Sequence, residues 1–253
     1  MMAGLGSLLG RQPALYRSAR RLRVMLFGPG EREMAMLPLF VDPRRLSVDV
    51  GANNGAYTQA LLALGGRVVA VEANEVLARQ LQRIYGRMAR VICAAASSEP
   101  GTARLRIPRH CAGFGHGLAT VEAGNTLDGA EVEEILVRRI PLDGMGLPAV
   151  GFIKIDVEGH ELDVLRGAEA VLRRDRPTLL IESEERHRPG AVASVRDFLG
   201  RLGYTGFMID EGRLASIAGF DPRRDQHVPR NRLGDLNAGH YEGRYINNFF
   251  FVA

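Results

Sequence analysis

Residues 46–55 read Leu46-Ser47-Val48-Asp49-Val50-Gly51-Ala52-Asn53-Asn54-Gly55, and seventeen residues past Gly55 a second apolar run, Val68-Val69-Ala70-Val71, ends in Glu72. An apolar strand closes on an acid and a glycine turn, a helix follows, and the next apolar strand closes on another acid. A doubly wound sheet holds an adenosine in this way. The glycines let the backbone approach the ligand, and the second acid takes the two ribose hydroxyls.

The glycine spacing selects among adenosine ligands. A dinucleotide fold wants G-x-G-x-x-G, so that a pyrophosphate can rest on the helix N-terminus. Here the turn is Gly51-x-x-x-Gly55 with Asp49 just before it. A carboxylate at a strand tip repels phosphate and attracts a cationic amine. S-adenosylmethionine has no phosphate and carries an α-amine and a sulfonium, so the electrostatics favour it over NAD or ATP.

Outward from this pair, strands and helices alternate. Ala56 to Leu64 and Glu75 to Tyr85 read as helices, and Gly65-Gly66 ends the first. Arg67 to Val71 is the second strand and Arg90 to Cys93 the third. Ala103 to Ile107 reads as extended, Arg109 to Asn125 as a glycine-rich loop, and Ile135 to Ile140 as a strand. Val150 to Asp156 is a fourth core strand, followed by helical periodicity over Glu161 to Leu172. Pro177 to Glu182, Tyr204 to Ile209 and Asn247 to Val252 complete the strands, with a helix over Val192 to Leu202. The pattern predicts an α/β, Rossmann-like, doubly wound and mostly parallel seven-stranded sheet. No obvious helix separates the last two strands, so one of them is open to an antiparallel placement. We read residues 46–253 as one domain and residues 1–45 as a helical extension. Residues 210–245 form a lid or substrate loop, because so long a connection with little periodicity is seldom idle.

The 253 residues are 46% hydrophobic, enough for one sizeable core. No run of 18 apolar residues exists, so no transmembrane segment is expected. The two cysteines, Cys93 and Cys111, form no Cys-x-x-Cys pair. That spacing supports neither a zinc site nor a disulfide framework, and a reducing, cytoplasmic setting is the default. The net charge is +4, carried by arginine except for the one lysine, Lys154. The positive charge is spread along the chain, so a solvated surface is favoured over a nucleic-acid partner. Residues 1–30 hold Arg11, Arg17, Arg20, Arg21 and Arg23 and no acid. A transit segment or a membrane-surface helix would look similar, and an extension belonging to the protein is the favoured reading. Leu8, Leu9, Leu15 and Tyr16 could serve a homo-oligomer or pack on the domain.

Asp49-Val50-Gly51-Ala52-Asn53-Asn54-Gly55, Ile153-Lys154-Ile155-Asp156-Val157-Glu158-Gly159-His160-Glu161, Val164-Leu165-Arg166-Gly167-Ala168 and the closing Asn247-Asn248-Phe249-Phe250-Phe251-Val252 together resemble the FkbM-type methyltransferases. The resemblance runs from about Ser47 to the last residue. It implies an S-adenosylmethionine-dependent enzyme that O-methylates a hydroxyl of a secondary metabolite or glycan. It puts Asp49, Gly51, Asn53 and Gly55 on the methionine side of the cofactor, with Asn54, Tyr57 and Thr58 of the same turn and helix counted among the contacts. It puts Glu72 on the ribose, Ala73 and Asn74 beside the adenosine, Ala95 and Ser97 at the adenine, and Asp156 beside the transferred methyl.

A hydroxyl nucleophile needs its proton removed, which calls for a carboxylate or histidine near the fourth strand tip. Asp156 is the candidate cofactor contact and base, with Glu182 and His116 as competing bases. Glu158 reads equally well as a helix-terminal acid, His160 as a first-turn helix residue, and His110 and His116 as solvated loop residues. Lys154 shares the face of Asp156, and an ion pair with a neighbouring carboxylate is favoured over a substrate-orienting cation. Asp156, Glu158 and Glu182 could hold a divalent metal beside a sugar hydroxyl, but nothing in their spacing requires one, and no metal ligand is assigned. The expected partner is a small-molecule or glycan hydroxyl acceptor. The alternatives are a non-catalytic nucleoside-binding protein, a methyltransferase acting on an amine or nucleic acid, and a nicotinamide dehydrogenase. The acidic Asp156-Val157-Glu158 tip counts against a phosphate backbone, and the glycine spacing counts against NAD.

Overall fold

Leu46–Val50 (β1) is buried at all five positions, as an interior strand covered on both faces must be. It runs parallel to Arg67–Glu72 (β2), which in turn runs parallel to Ala89–Cys93 (β3). The computed structural model describes residues 13–27, 31–110, 113–114, 118–229 and 243–253.

Beyond β3 the chain leaves the main sheet. Ala95–Ala96 (β4), Gly101–His110 (β5), Gly113–Phe114 (β6) and Val132–Ile140 (β7) make a second sheet in the order β4-β7-β5-β6. Its body is the antiparallel β5–β7 pair, in register from Gly101 opposite Arg139 to Pro108 opposite Val132. The chain then re-enters the main sheet as Val150–Ile155 (β8), which pairs in parallel with β1 and with Thr178–Glu182 (β9).

The last three strands are Thr205–Asp210 (β10), Arg213–Ser216 (β11) and Asn248–Val252 (β12). The main sheet runs β11-β10-β12-β9-β8-β1-β2-β3. Seven of the strands read from the sequence are in it, the strand read over Ile135 to Ile140 lies in the second sheet as part of β7, and β11 adds an eighth to the main sheet at its edge, paired with β10 across Glu211-Gly212. The strand β12 is antiparallel to both of its neighbours. The strand order reverses between β1 and β8, which run parallel, and this opens the crevice at the carboxyl edge where ligands of such sheets bind.

Alternation along the strands divides the core. Val48, Val50, Ile153 and Ile155 pack with Val164, Leu165, Leu172, Val195 and Leu199 on one face. Phe152, Leu180 and Phe250 pack with Leu61, Leu81 and Tyr85 on the other. The helix expected over Glu161 to Leu172 is broken at Gly167 into Glu161–Arg166 and Glu169–Asp175. The N-terminal segment forms the helix Pro13–Phe27. It lies on this second face, where Arg17 donates to the Ile84 carbonyl at 2.6 Å and accepts Gln59 Nε2 on its own carbonyl at 3.3 Å. Further along the segment read as a helical extension, a 3-10 turn, Arg32–Met36, runs into the short helix Leu37–Phe40. No helix among the described residues is long and apolar enough to cross a membrane.

Candidate active site

A cleft of about 560 Å³, counted out to its mouth, opens where β1, β2 and β8 end. Glu72 closes one side. Its two carboxylate oxygens accept the backbone amides of Asn53 at 2.7 Å and Asn74 at 2.8 Å. Each oxygen keeps a lone pair for a further donor. Burial raises this carboxyl above its ordinary range, while the Asn74 and Asn53 amides restrain the rise. The opposite walls are small and apolar: Ala94, Ala95 and Ala96 after β3, with Leu105, Ala119 and Val121 from the second sheet and its loop.

The two turn glycines serve backbone packing. Gly51 has φ +76°, and a Cβ there would stand 1.7 Å from the Asp156 carbonyl oxygen. Gly55 has φ +79°, and its Cβ would meet Tyr85 Cε2 at 2.6 Å. A side chain at either position would push the turn out of the crevice.

Of the residues assigned to the cofactor by sequence, Gly51, Asn53, Glu72, Ala73, Ala95 and Asp156 line this cleft. Others lie off it, for identifiable reasons. Asp49 is 2% exposed and accepts the Thr58 hydroxyl at 2.6 Å, so both face the helix behind β1. Tyr57 donates to Glu31, on the second cleft described below, at 2.5 Å. Asn54 is exposed, and Gly55 is buried under Tyr85. Asn74 caps the helix Glu75–Tyr85 through Val76 N at 2.9 Å. Ser97, expected at the adenine, is fully buried against His160 at 3.0 Å. Leu105, Ala119 and Val121 had no local signal in the sequence, because an antiparallel insertion brings them in.

Lys154 joins the cleft to its neighbour. Its ammonium is fully buried, donates to Asn248 Oδ1 at 3.0 Å, and lies 3.6 Å from Glu182 and 3.9 Å from Asp156. The Tyr57 ring lies 4.9 Å from it. Burial works against the lysine charge, and Asp156 and Glu182 together outweigh it, so the ammonium holds its proton more firmly than usual. Burial lifts the Asp156 carboxyl to about 7 against the pull of Lys154. Burial and then Asp156 push Glu182 well above the carboxylate range. Glu158 is not a helix-terminal acid: it has φ +56° and pairs with His187 Nδ1 at 3.0 Å. His116 lies outside the described residues.

A second, wider cleft of about 1,820 Å³, counted in the same way, begins at Glu158 and Glu182. Its wall carries seven carboxylates (Glu31, Glu33, Glu158, Glu182, Glu184, Asp210 and Glu211) against three arginines among the described residues. Arg244 is bound to Asp210 and Asp225, each at 2.6 Å, and Arg224 to Asp225 at 2.7 Å. Of the three on the wall, Arg244 is thus committed to carboxylates, as is Arg186 through Glu184. Glu184 accepts from Arg186 and Tyr245. Burial opposes its charge, but His187 and Arg186 hold the carboxyl down at about 2.

Comparison with known proteins gives the family. A structure titled methyltransferase FkbM, from Methylobacillus flagellatus KT, aligns with a TM-score of 0.54 at 18% identity, covering 97% of this chain and 57% of that one. This chain thus spans little more than half the length of that neighbour. A TehB-like SAM-dependent methyltransferase from Corynebacterium glutamicum aligns at 0.48 and 10% identity over 96% and 98% of the two chains. The O-methyltransferase TomG from Streptomyces achromogenes, solved with SAM, aligns at 0.41 and 13% identity over 88% and 77%. No curated protein matches the chain. The first likeness shows a shared Rossmann-like fold. The family model for the methyltransferase FkbM domain matches residues 49–205, well over half of the chain, and the protein belongs to that family.

Proposed function

We propose that the protein is an S-adenosylmethionine-dependent O-methyltransferase whose acceptor is a hydroxyl of a polyhydroxylated small molecule or glycan. The observation that carries this reading is the Asp156–Lys154–Glu182 cluster. It stands at the junction of the cleft walled by Glu72 and the alanines and a wide polar one, with Asp156 on the first and Glu182 on the second. Two facing chambers that share a carboxylate pair suit group transfer from one ligand to another.

The residues fit the cofactor. The Glu72 oxygens suit a ribose diol, the alanine walls suit a flat base, and the phosphate-free turn at Gly51 leaves no cradle for pyrophosphate. S-adenosylmethionine supplies a methyl on a sulfonium, a good leaving group, so alignment and water exclusion are most of what the protein must add. The chain's own groups handle the acceptor proton. Asp156 and Glu182 act as one coupled base, and Lys154 fixes their spacing and carries the compensating charge. A carboxyl near 7 is matched to taking a proton at neutral pH. Asp210, Glu211 and residues 243–245, the part of the segment read as a lid that lines the second cleft, form the outer acceptor wall with Ile246 and Asn247. Its carboxylates suit an acceptor rich in hydroxyls and disfavour a phosphate backbone.

A methyl-transfer screen with labelled cofactor against a panel of glycosides and polyketides tests this. Product should form on a hydroxyl. Asp156→Asn and Glu182→Gln should each cut turnover at least about 100-fold, within the range of general-base effects, while S-adenosylhomocysteine binding survives. Stabilisation by NAD and not by S-adenosylhomocysteine would end the proposal.

A further inference from the structure

Behind the walls of the cofactor cleft, three side chains outside the proposed machinery converge. His160 Nδ1 lies 3.5 Å from Glu122 Oε2 and 3.7 Å from Asp163 Oδ2. The three ligand atoms all lie within 4.8 Å of one another. His160 is 8% exposed, and its Nδ1 is buried with no hydrogen-bond partner among the described residues. The other polar atom of each side chain is already held. His160 Nε2 meets Ser97 Oγ at 3.0 Å, Glu122 Oε1 accepts the Gly124 amide at 3.1 Å, and Asp163 Oδ1 accepts Arg166 at 3.1 Å. Such outer contacts orient metal ligands and fix the histidine tautomer.

The gaps are those of ligands around an ion. Zinc–nitrogen and zinc–oxygen bonds are about 2.0–2.2 Å, which on a tetrahedron sets neighbouring ligand atoms about 3.4 Å apart. A direct imidazole–carboxylate hydrogen bond would close to about 2.8 Å. Two carboxylates and a neutral imidazole also balance a divalent charge. We infer that Glu122, His160 and Asp163 bind one divalent transition-metal ion of the zinc class.

The ion ties two segments together. Glu122 belongs to the loop whose Ala119 and Val121 wall the cofactor cleft, and His160 and Asp163 begin the helix after β8. Thr120 Oγ1 and Asn125 Nδ2 already reach across that joint to the Glu158 carbonyl, at 2.8 and 2.9 Å. The site is structural and does not rest on the methyl-transfer reading.

The test uses the full chain, stripped with EDTA and titrated with zinc chloride by calorimetry, with elemental analysis after dialysis. One equivalent of zinc should be retained, and the thermal midpoint should rise. Glu122→Gln and Asp163→Asn, both at partly exposed positions, should weaken uptake about 10–100-fold or more. Cobalt(II) in place of zinc should give visible d–d absorption that His160→Asn abolishes. Absence of stoichiometric uptake by the unaltered chain would overturn the inference, whatever the variants do. So would uptake undiminished in both carboxylate variants, which would place the zinc elsewhere.

Discussion

Lys154 Nζ stands 3.6 Å from Glu182 Oε2, and this ion pair links β8 to β9 inside the sheet, beside the proposed acceptor. Removing one partner of a buried pair leaves the other charge stranded, at about 3–5 kcal/mol. Lys154→Met should destabilise the chain by about that amount at pH 8. The loss should shrink at pH 5.5, where Asp156 and Glu182 take up protons instead. Urea unfolding at the two pH values checks this, and equal midpoints for variant and parent at pH 8 would refute it.

Glu72 is expected to govern nucleoside affinity. Hydrogen bonds to a charged group contribute about 1.5–3 kcal/mol. Glu72→Gln should therefore weaken S-adenosylhomocysteine binding by about 10–150-fold in calorimetry, with the fold retained. An unchanged dissociation constant would remove Glu72 from the ribose.

Stability and turnover should respond to pH in opposite directions. Burial lifts Asp49 to about 6, and Asp156 and Glu161 to about 7, whereas free carboxyls titrate near about 4. The folded state therefore binds more protons than the unfolded state between those values. The stability these groups give is complete below about pH 4 and is lost as pH climbs through 6 to 7. The urea midpoint of the ligand-free chain should fall from pH 5 to pH 8, and Asp49→Asn should flatten that fall. Turnover should rise with unit slope toward pH 7 as the base loses its proton. A midpoint that climbs over the same window would contradict the assignment.

Gly51→Ala should be among the most damaging small substitutions. The new Cβ meets the Asp156 carbonyl oxygen 1.7 Å away, on backbone at φ +76°, and neither strand tip can retreat without breaking the β1–β8 ladder. We expect loss of cofactor binding and a drop of several kcal/mol, in the range of overpacking plus left-handed strain. An alanine variant with native thermal midpoint and affinity would show that the turn yields.

The main sheet was legible because each of its central strands is a short apolar run bounded by turn residues. The positions of Glu72 and Asp156 on the first cleft were legible because they stand where such runs end. Asp49 and Ser97 do not line that cleft, for a common reason: sequence places a residue near a strand tip but does not say which way it faces. Asp49 turns to Thr58, and Ser97 to His160. The second sheet was half visible, with β5 and β7 read as extended and their pairing unread, since partners some thirty residues apart carry no local mark. Glu31 and Glu33 reach the acceptor wall only because the N-terminal segment folds back across the second face of the sheet.

The placement of β12 fixes an order of assembly. It is the last of the twelve strands among the described residues, yet it lies in the interior, between β9 and β10. The earlier strands cannot close the sheet by successive addition, so a gap must stay open until residues 248–252 enter it. Asn248 then reaches Lys154, 94 positions earlier in the chain. Such long-range closure comes late in folding. The cleft at the tips of β1 and β2 can take shape beforehand, but the Asp156–Lys154–Glu182 cluster is completed only with that final insertion.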